Sequence, residues 1–247
     1  MRKFFFQLLL LTVFFGCSQK EQKKTSYHIG LCIVATGAYD RFANELITSA
    51  RNYFCKNHKV TYFVFSDGAI EPADDVVVIP QKRLGWPFDT LKRFHLYVEQ
   101  EKLFSQMDYL FAIDADMRFV AEIGEEVLGK LVGVGRDVGK HITYERNKRS
   151  KANVSKKKGR HYFAGAFYGG EREEFLKLVR KAKWQVDADL KDNYIAVWHD
   201  ESHLNRYFYD HEPAIILSTA YCYPECWDLP YEKKLVALAK DHAEIRK

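Results

Sequence analysis

Tyr109-Leu110-Phe111-Ala112-Ile113-Asp114-Ala115-Asp116 is the stretch on which the reading of this chain turns. Its five leading apolar residues have the length and composition of a buried strand. Two carboxylates one residue apart then fall at the strand's end, where an open α/β sheet keeps its ligand crevice. Paired hard oxygen donors suit Mg²⁺ or Mn²⁺, and a divalent ion held by few carboxylates completes its shell with phosphate oxygens. The stretch therefore points toward a nucleotide-linked substrate, although a D-x-D triplet also serves simply to cap a following helix or turn.

Upstream, residues 29–35 form a β run that ends in the small-residue turn Thr36-Gly37-Ala38-Tyr39. Asp40 is then placed to cap a helix with Phe42, Leu46, Ile47, Ala50 and Phe54 on one face. Residues 60–65 make the next strand, and 76–79 another that Pro80 stops. Strand, helix, strand in that order predicts a right-handed parallel crossover with binding loops gathered at one edge. Trp86-Pro87 leads into a second helix, capped by Asp89 and showing Leu91, Phe94 and Val98 on one side.

The amino-terminal residues 1–26 read as a separate targeting segment, leaving 27–247 as one domain. Arg2 and Lys3 precede a short apolar stretch, and Gly16-Cys17 follows. This suits a signal-peptide core better than a membrane-spanning helix. A small residue directly before Cys17 resembles a bacterial lipoprotein signal, with a signal anchor as the alternative; either makes the protein membrane-associated through its N-terminus. The segment holds five of the 38 basic residues and one of the 33 acidic ones, so the remainder is close to neutral. That argues against a nucleic-acid partner. Cys32, Cys55, Cys222 and Cys226 are spaced for neither a zinc ribbon nor a dense disulfide framework.

Downstream, Gly133-Val134-Gly135 with Gly139 mimics a dinucleotide fingerprint, but its spacing is G-x-G-x-x-x-G and no clear strand precedes it. Residues 146–160 carry a basic run that reads as a solvated loop, with a phosphate or membrane contact as the alternative. Residues 162–170, Tyr-Phe-Ala-Gly-Ala-Phe-Tyr-Gly-Gly, mix aromatics with very small side chains, a pattern that either lets a sugar ring approach the backbone or packs two sheet layers tightly together. A helix over 171–183 follows. In Trp198-His199-Asp200-Glu201-Ser202-His203-Leu204-Asn205, the two histidines four apart offer a zinc-hydrolase reading. Asp200, however, stands where the H-E-x-x-H arrangement needs its glutamate.

Taken together these residues resemble glycosyltransferase family 6, the group of the ABO blood-group and α-1,3-galactosyl transferases and their bacterial relatives. The likeness runs through Gly30-Leu31, Tyr62 to Asp67, Trp86-Pro87, Thr90 to Phe94, Asp108 to Leu110, Thr143 to Arg146, Gly165 to Gly170, Ala196 to Asn205, and Leu217 to Tyr221. It implies a GT-A fold: a single Rossmann-like α/β domain with a mixed, mostly parallel central sheet flanked by helices. It further implies retaining transfer of galactose or N-acetylgalactosamine from a UDP-sugar, in α-1,3 linkage, onto a β-galactoside-ended glycan.

By that resemblance, Val34, Ala35, Thr36 and Tyr39 line the uridine pocket. Asp114 and Asp116 hold Mn²⁺ (or Mg²⁺) against the diphosphate, with Arg93 beside them. Glu201 lies beneath the anomeric carbon as nucleophile or charge stabiliser. Trp198 and Thr143 meet the acceptor, His199 and Asp200 the donor sugar. Lys240 and Arg246 fold over the diphosphate. Ala164, Gly165 and Ala166 face the donor sugar; Ala164 leans toward the N-acetyl sugar and Ala166 toward galactose.

Two departures from the family pattern stand out. The His-Pro-Gly-Phe-Tyr stretch before the Thr-Tyr-Glu-Arg motif is missing, and Gly135-Arg136-Asp137-Val138-Gly139 stands near there. Pro224 replaces an aspartate of the late strand, so Glu225 is expected to take over that acceptor contact. A carbohydrate-binding lipoprotein that has lost turnover is the reading from a different class.

Overall fold

The computed structural model describes residues 25–136, 143–155 and 161–245. The targeting-segment reading falls almost wholly on residues outside that set, as does Arg246. Among the described residues, no helix is long and apolar enough to cross a membrane.

Strand β1 (His28–Val34) is the centre of the molecule. It pairs in parallel with β2 (Lys59–Ser66), which pairs in parallel with β3 (Val76–Pro80). On its other side β1 pairs in parallel with β4 (Tyr109–Asp114), the quoted apolar run. The chain reaches β2 through helix α1 (Asp40–Tyr53), so the predicted crossover is present. Beyond β4 come β7 (Phe163–Glu171), β6 (Leu131–Gly135) and β8 (Ile215–Leu217). Of these, β7 alone runs against its neighbours. The result is a mixed, mostly parallel sheet of seven strands in the order β3-β2-β1-β4-β7-β6-β8. The winding reverses between β1 and β4, so Val34 and Asp114, which pair in register, share the switch point where such sheets bind ligands.

Alternation along β1 divides the core, because successive side chains leave opposite faces of a strand. Ile29, Leu31 and Ile33 pack with Leu46, Ile47 and Ala50 of α1 and with Phe111. Cys32 joins Phe63 and Phe65 on the other face, under α3 (Arg93–Glu99) and α4 (Arg172–Lys191), which supply Phe94, Tyr97, Phe175 and Val179. The described cysteines are free thiols.

Four local expectations need correction. Asp40 is the first residue of α1 and makes no side-chain cap, Tyr39 holding the cap position. The second helix is broken: α2 (Phe88–Leu91) stops at Lys92 before α3 begins. Asp89 does not cap it but accepts from the Leu84 N–H at 2.7 Å and the Thr36 hydroxyl at 3.2 Å, stitching two site loops together. Helix α4 extends eight residues past the expected Lys183, burying Gln185, Val186 and Asp189. The glycine-rich segment resembling a dinucleotide fingerprint contains β6 itself, with Gly133 and Gly135 inside the strand.

A small second sheet finishes the fold. Strand β5 (Met117–Phe119) follows the paired aspartates and runs antiparallel to β10 (Leu235–Ala237), which also pairs with β9 (Tyr223–Pro224). The Leu238 N–H donates to the Asp116 carbonyl at 2.9 Å. This pairing delivers the carboxy-terminal residues, ending in the short helix α6 (His242–Ile245), across the switch point.

Candidate active site

Two adjoining cavities occupy the carboxyl edge of β1 and β4. The first, about 260 Å³, is lined by Val34, Thr36, Tyr39, Asp89, Thr90, Arg93, Asp114, Ala115, Asp116 and Lys240. The second, about 390 Å³, shares Thr90, Arg93 and Asp114 with the first and adds Trp86, Arg136, Ala164, Gly165, Ala166, Trp198, His199, Asp200, Glu201 and Cys222. A single cleft is thus divided by Arg93 and Asp114 into a chamber beside the paired aspartates and one beside helix α5 (His199–Asp210).

Arg93 is the hinge of the charge arrangement. Its guanidinium is buried, donates to Asp114 Oδ1 at 2.8 Å and reaches the Gly165 carbonyl at 3.4 Å. Its Nε lies 3.2 Å from Asp200 Oδ2, close enough for an ion pair but without hydrogen-bond alignment. Burial works against the arginine charge, yet Asp200 and Asp114 overcome it and hold the guanidinium protonated. For Asp200 the balance goes the other way: burial pushes its carboxyl up to about 7, with Arg93 opposing. Lys240 meets Asp116 in an ion pair and stands 5.2 Å from the Tyr39 ring centroid.

The donor set fits a divalent ion. Among the described residues, Asp114 engages Arg93 through Oδ1 and Asp116 engages Lys240 through Oδ2, so each carboxylate keeps its second oxygen uncommitted at the same cavity wall. Two monodentate carboxylates with a shell open to phosphate and water are what Mg²⁺ or Mn²⁺ accepts.

Helix α5 begins abruptly. His199 has φ +49°, a left-handed conformation that costs a non-glycine residue on the order of 1–3 kcal/mol and is concentrated at functional sites. The turn is held from outside by Glu145 of the Thr-Tyr-Glu-Arg motif, buried and accepting from the Val197 N–H at 2.9 Å and the Tyr194 hydroxyl at 3.0 Å. The Ser202 hydroxyl accepts from the Trp198 N–H at 2.9 Å. Glu201 then points back at β7. The Tyr162 hydroxyl donates to its Oε1 at 2.6 Å, and the Gly165 N–H to its Oε2 at 2.7 Å. Burial raises the Glu201 carboxyl above its ordinary value, opposed by those two donors and by Arg136, whose Nη1 lies 4.0 Å from Oε1.

Most of the residues expected from sequence converge here. Exceptions are informative. Ala35 is buried and acts through its backbone, its carbonyl accepting from the Ser66 hydroxyl at 2.7 Å. Thr143 stands outside the cavity walls but accepts from the Trp198 indole N–H at 3.3 Å. Glu225 lines neither chamber; it pairs with Arg118 at 3.2 Å and accepts from the Ala239 N–H at 2.8 Å, bracing the carboxy-terminal crossing. The two histidines of the hydrolase reading part company. His199 packs its ring against Trp86 at 5.0 Å, whereas His203 is fully buried, 3.8 Å from Asp189.

Sequence reasoning missed Tyr162, Arg136, Asp89, Cys222 and Asn205 as site components. Only Asn205 carried a usable signal, its position four residues after Glu201 on one helix face.

Comparison with known proteins agrees with this geometry. The family profile described as glycosyltransferase family 6 matches residues 16–247. Histo-blood group ABO system transferase 1 of Rattus norvegicus is 31% identical, over 88% of this chain and 68% of its own length. Globoside alpha-1,3-N-acetylgalactosaminyltransferase 1 of Homo sapiens is 29% identical, over 88% and 68%. The O-antigen biosynthesis glycosyltransferase WbnI of Escherichia coli is 29% identical, over 86% and 95%. With a mixed, mostly parallel GT-A-like sheet and a two-chambered cleft at its switch point, the chain belongs to glycosyltransferase family 6 and is a hexosyltransferase that joins a nucleotide-sugar donor to a glycan acceptor.

Proposed function

We propose that this enzyme transfers galactose or N-acetylgalactosamine from its UDP-sugar, with retention, in α-1,3 linkage onto a β-galactoside-ended glycan. The observation that carries the reading is the shared wall: Arg93 and Asp114 border both chambers, so a diphosphate in one and a hexose in the other would meet there. Val34, Thr36 and Tyr39 would hold the uridine, and Asp114 with Asp116 would hold Mn²⁺ or Mg²⁺. The ion would supply charge neutralisation of the diphosphate.

The chain's own groups account for the remaining chemistry. Lys240 and Arg93 bring positive charge to the leaving diphosphate, and charge-assisted bonds to phosphate oxygens are among the stronger polar contacts. Glu201 presents a carboxylate to the sugar chamber from α5, held against β7 by the Gly165 N–H. A carboxylate there stabilises positive charge developing at the anomeric carbon, as nucleophile or as neighbouring anion, and either route leaves the new bond on the face the leaving group vacated. Asp200 and His199 would meet donor hydroxyls. Trp198 and Trp86, each about half exposed at the mouth, offer ring faces to the acceptor. Ala164 and Ala166 both line the sugar chamber, where their small side chains leave room for either donor.

UDP release from UDP-galactose and UDP-N-acetylgalactosamine, with methyl β-galactoside as acceptor, tests the proposal with and without Mn²⁺. Turnover that depends on the ion is expected, weakened in Asp116→Asn and nearly abolished in Glu201→Gln while UDP still binds. Sugar binding with neither transfer nor hydrolysis would favour the carbohydrate-binding lipoprotein instead. The same proposal tethers the domain to a membrane through residues 1–26, which fractionation with protease accessibility checks.

A further inference from the structure

Glu201 reaches its place through two separate elements, and their joint is built from polar groups rather than from packing alone. On α5, Asn205 sits one turn after Glu201. Its Oδ1 accepts from the Phe163 N–H at 2.8 Å, and its Nδ2 donates to the Phe163 carbonyl at 2.8 Å and to the Glu201 carbonyl at 2.9 Å. The amide therefore pairs with β7 as a neighbouring strand would, and ties that pairing to the backbone of Glu201. The flanking residues of β7 are thereby aimed at the carboxylate: Tyr162, just before Phe163, at Oε1, and Gly165, two residues after it, at Oε2. The Arg136 N–H donates to the Tyr162 carbonyl at 2.8 Å, fixing the tyrosine from the β6 side.

From this joint we infer that Tyr162 is a positioning residue for transfer: its hydroxyl holds the Glu201 carboxylate in place at the sugar chamber, with Asn205 setting the strand-to-helix distance at which it does so. The inference rests on the role proposed above for Glu201. The tyrosine ring is buried and edge-on to Tyr144 at 5.3 Å, so removing only the hydroxyl leaves the packing in place. The other titratable or charged groups lining the chamber are the acids Asp200 and Asp114, the cations Arg136 and Arg93, and His199 and Cys222. Arg136 stands 4.0 Å from Oε1, outside hydrogen-bond distance, whereas the Tyr162 hydroxyl is at 2.6 Å.

The test is Tyr162→Phe beside Glu201→Gln, measured as kcat and KM for donor across pH, with UDP affinity and thermal stability as controls. A hydrogen bond to a charged group lost in the transition state lowers kcat by about ten- to a hundredfold. The donor KM and UDP affinity should stay within about twofold, since the hydroxyl meets the carboxylate and not the nucleotide. Because the hydroxyl favours the ionised carboxylate, its loss should move the acid limb of kcat to higher pH. A wild-type kcat, or a lower kcat with an unmoved acid limb, would overturn the inference while an inactive Glu201→Gln leaves the functional proposal standing. Full activity in Glu201→Gln would remove both.

Discussion

Gly165 and Gly169 stand on the same strand, and an added side chain would meet a different obstacle at each. A Cβ at Gly169 would lie 2.2 Å from the Leu110 carbonyl and 2.7 Å from the Phe111 Cα, backbone atoms that move only if β4 and β7 part. Gly169→Ala should therefore cost about 3 kcal/mol, the upper part of the usual overpacking range. Thermal unfolding would register it as a drop of roughly 6–12 °C for a domain of this size. At Gly165 the nearest atoms belong to the Glu201 side chain, at 3.3 and 3.4 Å, which yields more readily than backbone. Gly165→Ala should leave stability within about 1 kcal/mol while displacing the carboxylate and lowering kcat at least about tenfold. Unfolding curves and steady-state rates on the two variants separate these effects, and equal losses of stability would contradict the distinction.

At the scale of elements, helices α4 and α5 bury a polar seam that determines acid behaviour. Burial depresses the His203 imidazole to about 3, and neither ring nitrogen has a hydrogen-bond partner among the described residues. Its neighbour Asp189 is already engaged by the Ser150 hydroxyl and the Lys151 N–H, and burial raises that carboxyl. A histidine with a lowered folded pKa contributes stability that is present above its unfolded value near 6.5 and lost as pH falls toward 3. At pH 5 the loss from this group should be about 2 kcal/mol relative to neutral pH. His203→Leu should consequently gain on the native protein as pH drops from 7 to 5; urea midpoints that shift in parallel at the two pH values would refute this.

The same elements show how far the sequence could be read. The strands at 29–35, 60–65 and 109–113 were legible because each is a continuous apolar run bounded by turn residues, and the paired aspartates followed from where such a run must end. The break at Lys92 was not legible. The apolar spacing of Leu91, Phe94 and Val98 describes one helix, whereas burying Arg93 between Asp114 and Asp200 is a tertiary demand that local spacing cannot express. The apolar spacing marks α4 too short because its last turns bury Gln185 and Asp189, polar residues that a periodicity of apolar side chains passes over. The contacts of Tyr162 and Arg136 with Glu201 are hidden from the sequence for a related reason. They span 39 and 65 positions and exist only after β6, β7 and α5 have come together.

For the molecule as a whole, the decisive arrangement is the return of the carboxy-terminal chain to the first half of the sheet. Strand β10 pairs with β5 directly after the paired aspartates, and Lys240 is carried onto Asp116 as a result. Lys240→Ala should weaken UDP binding by about tenfold without unfolding the domain, since it removes one charge-assisted contact to phosphate; calorimetry with UDP and Mn²⁺ reads this, and unchanged affinity would exclude the lysine from donor binding. Whether Asp114 and Asp116 hold a cation against the donor diphosphate is decided by a crystal structure of the enzyme with UDP and Mn²⁺. Uridine is expected against Val34, Thr36 and Tyr39, with an ion held by Asp114 and Asp116 beside the diphosphate. A nucleotide bound elsewhere, or a diphosphate in the cleft with no ion between it and the two carboxylates, would contradict this arrangement.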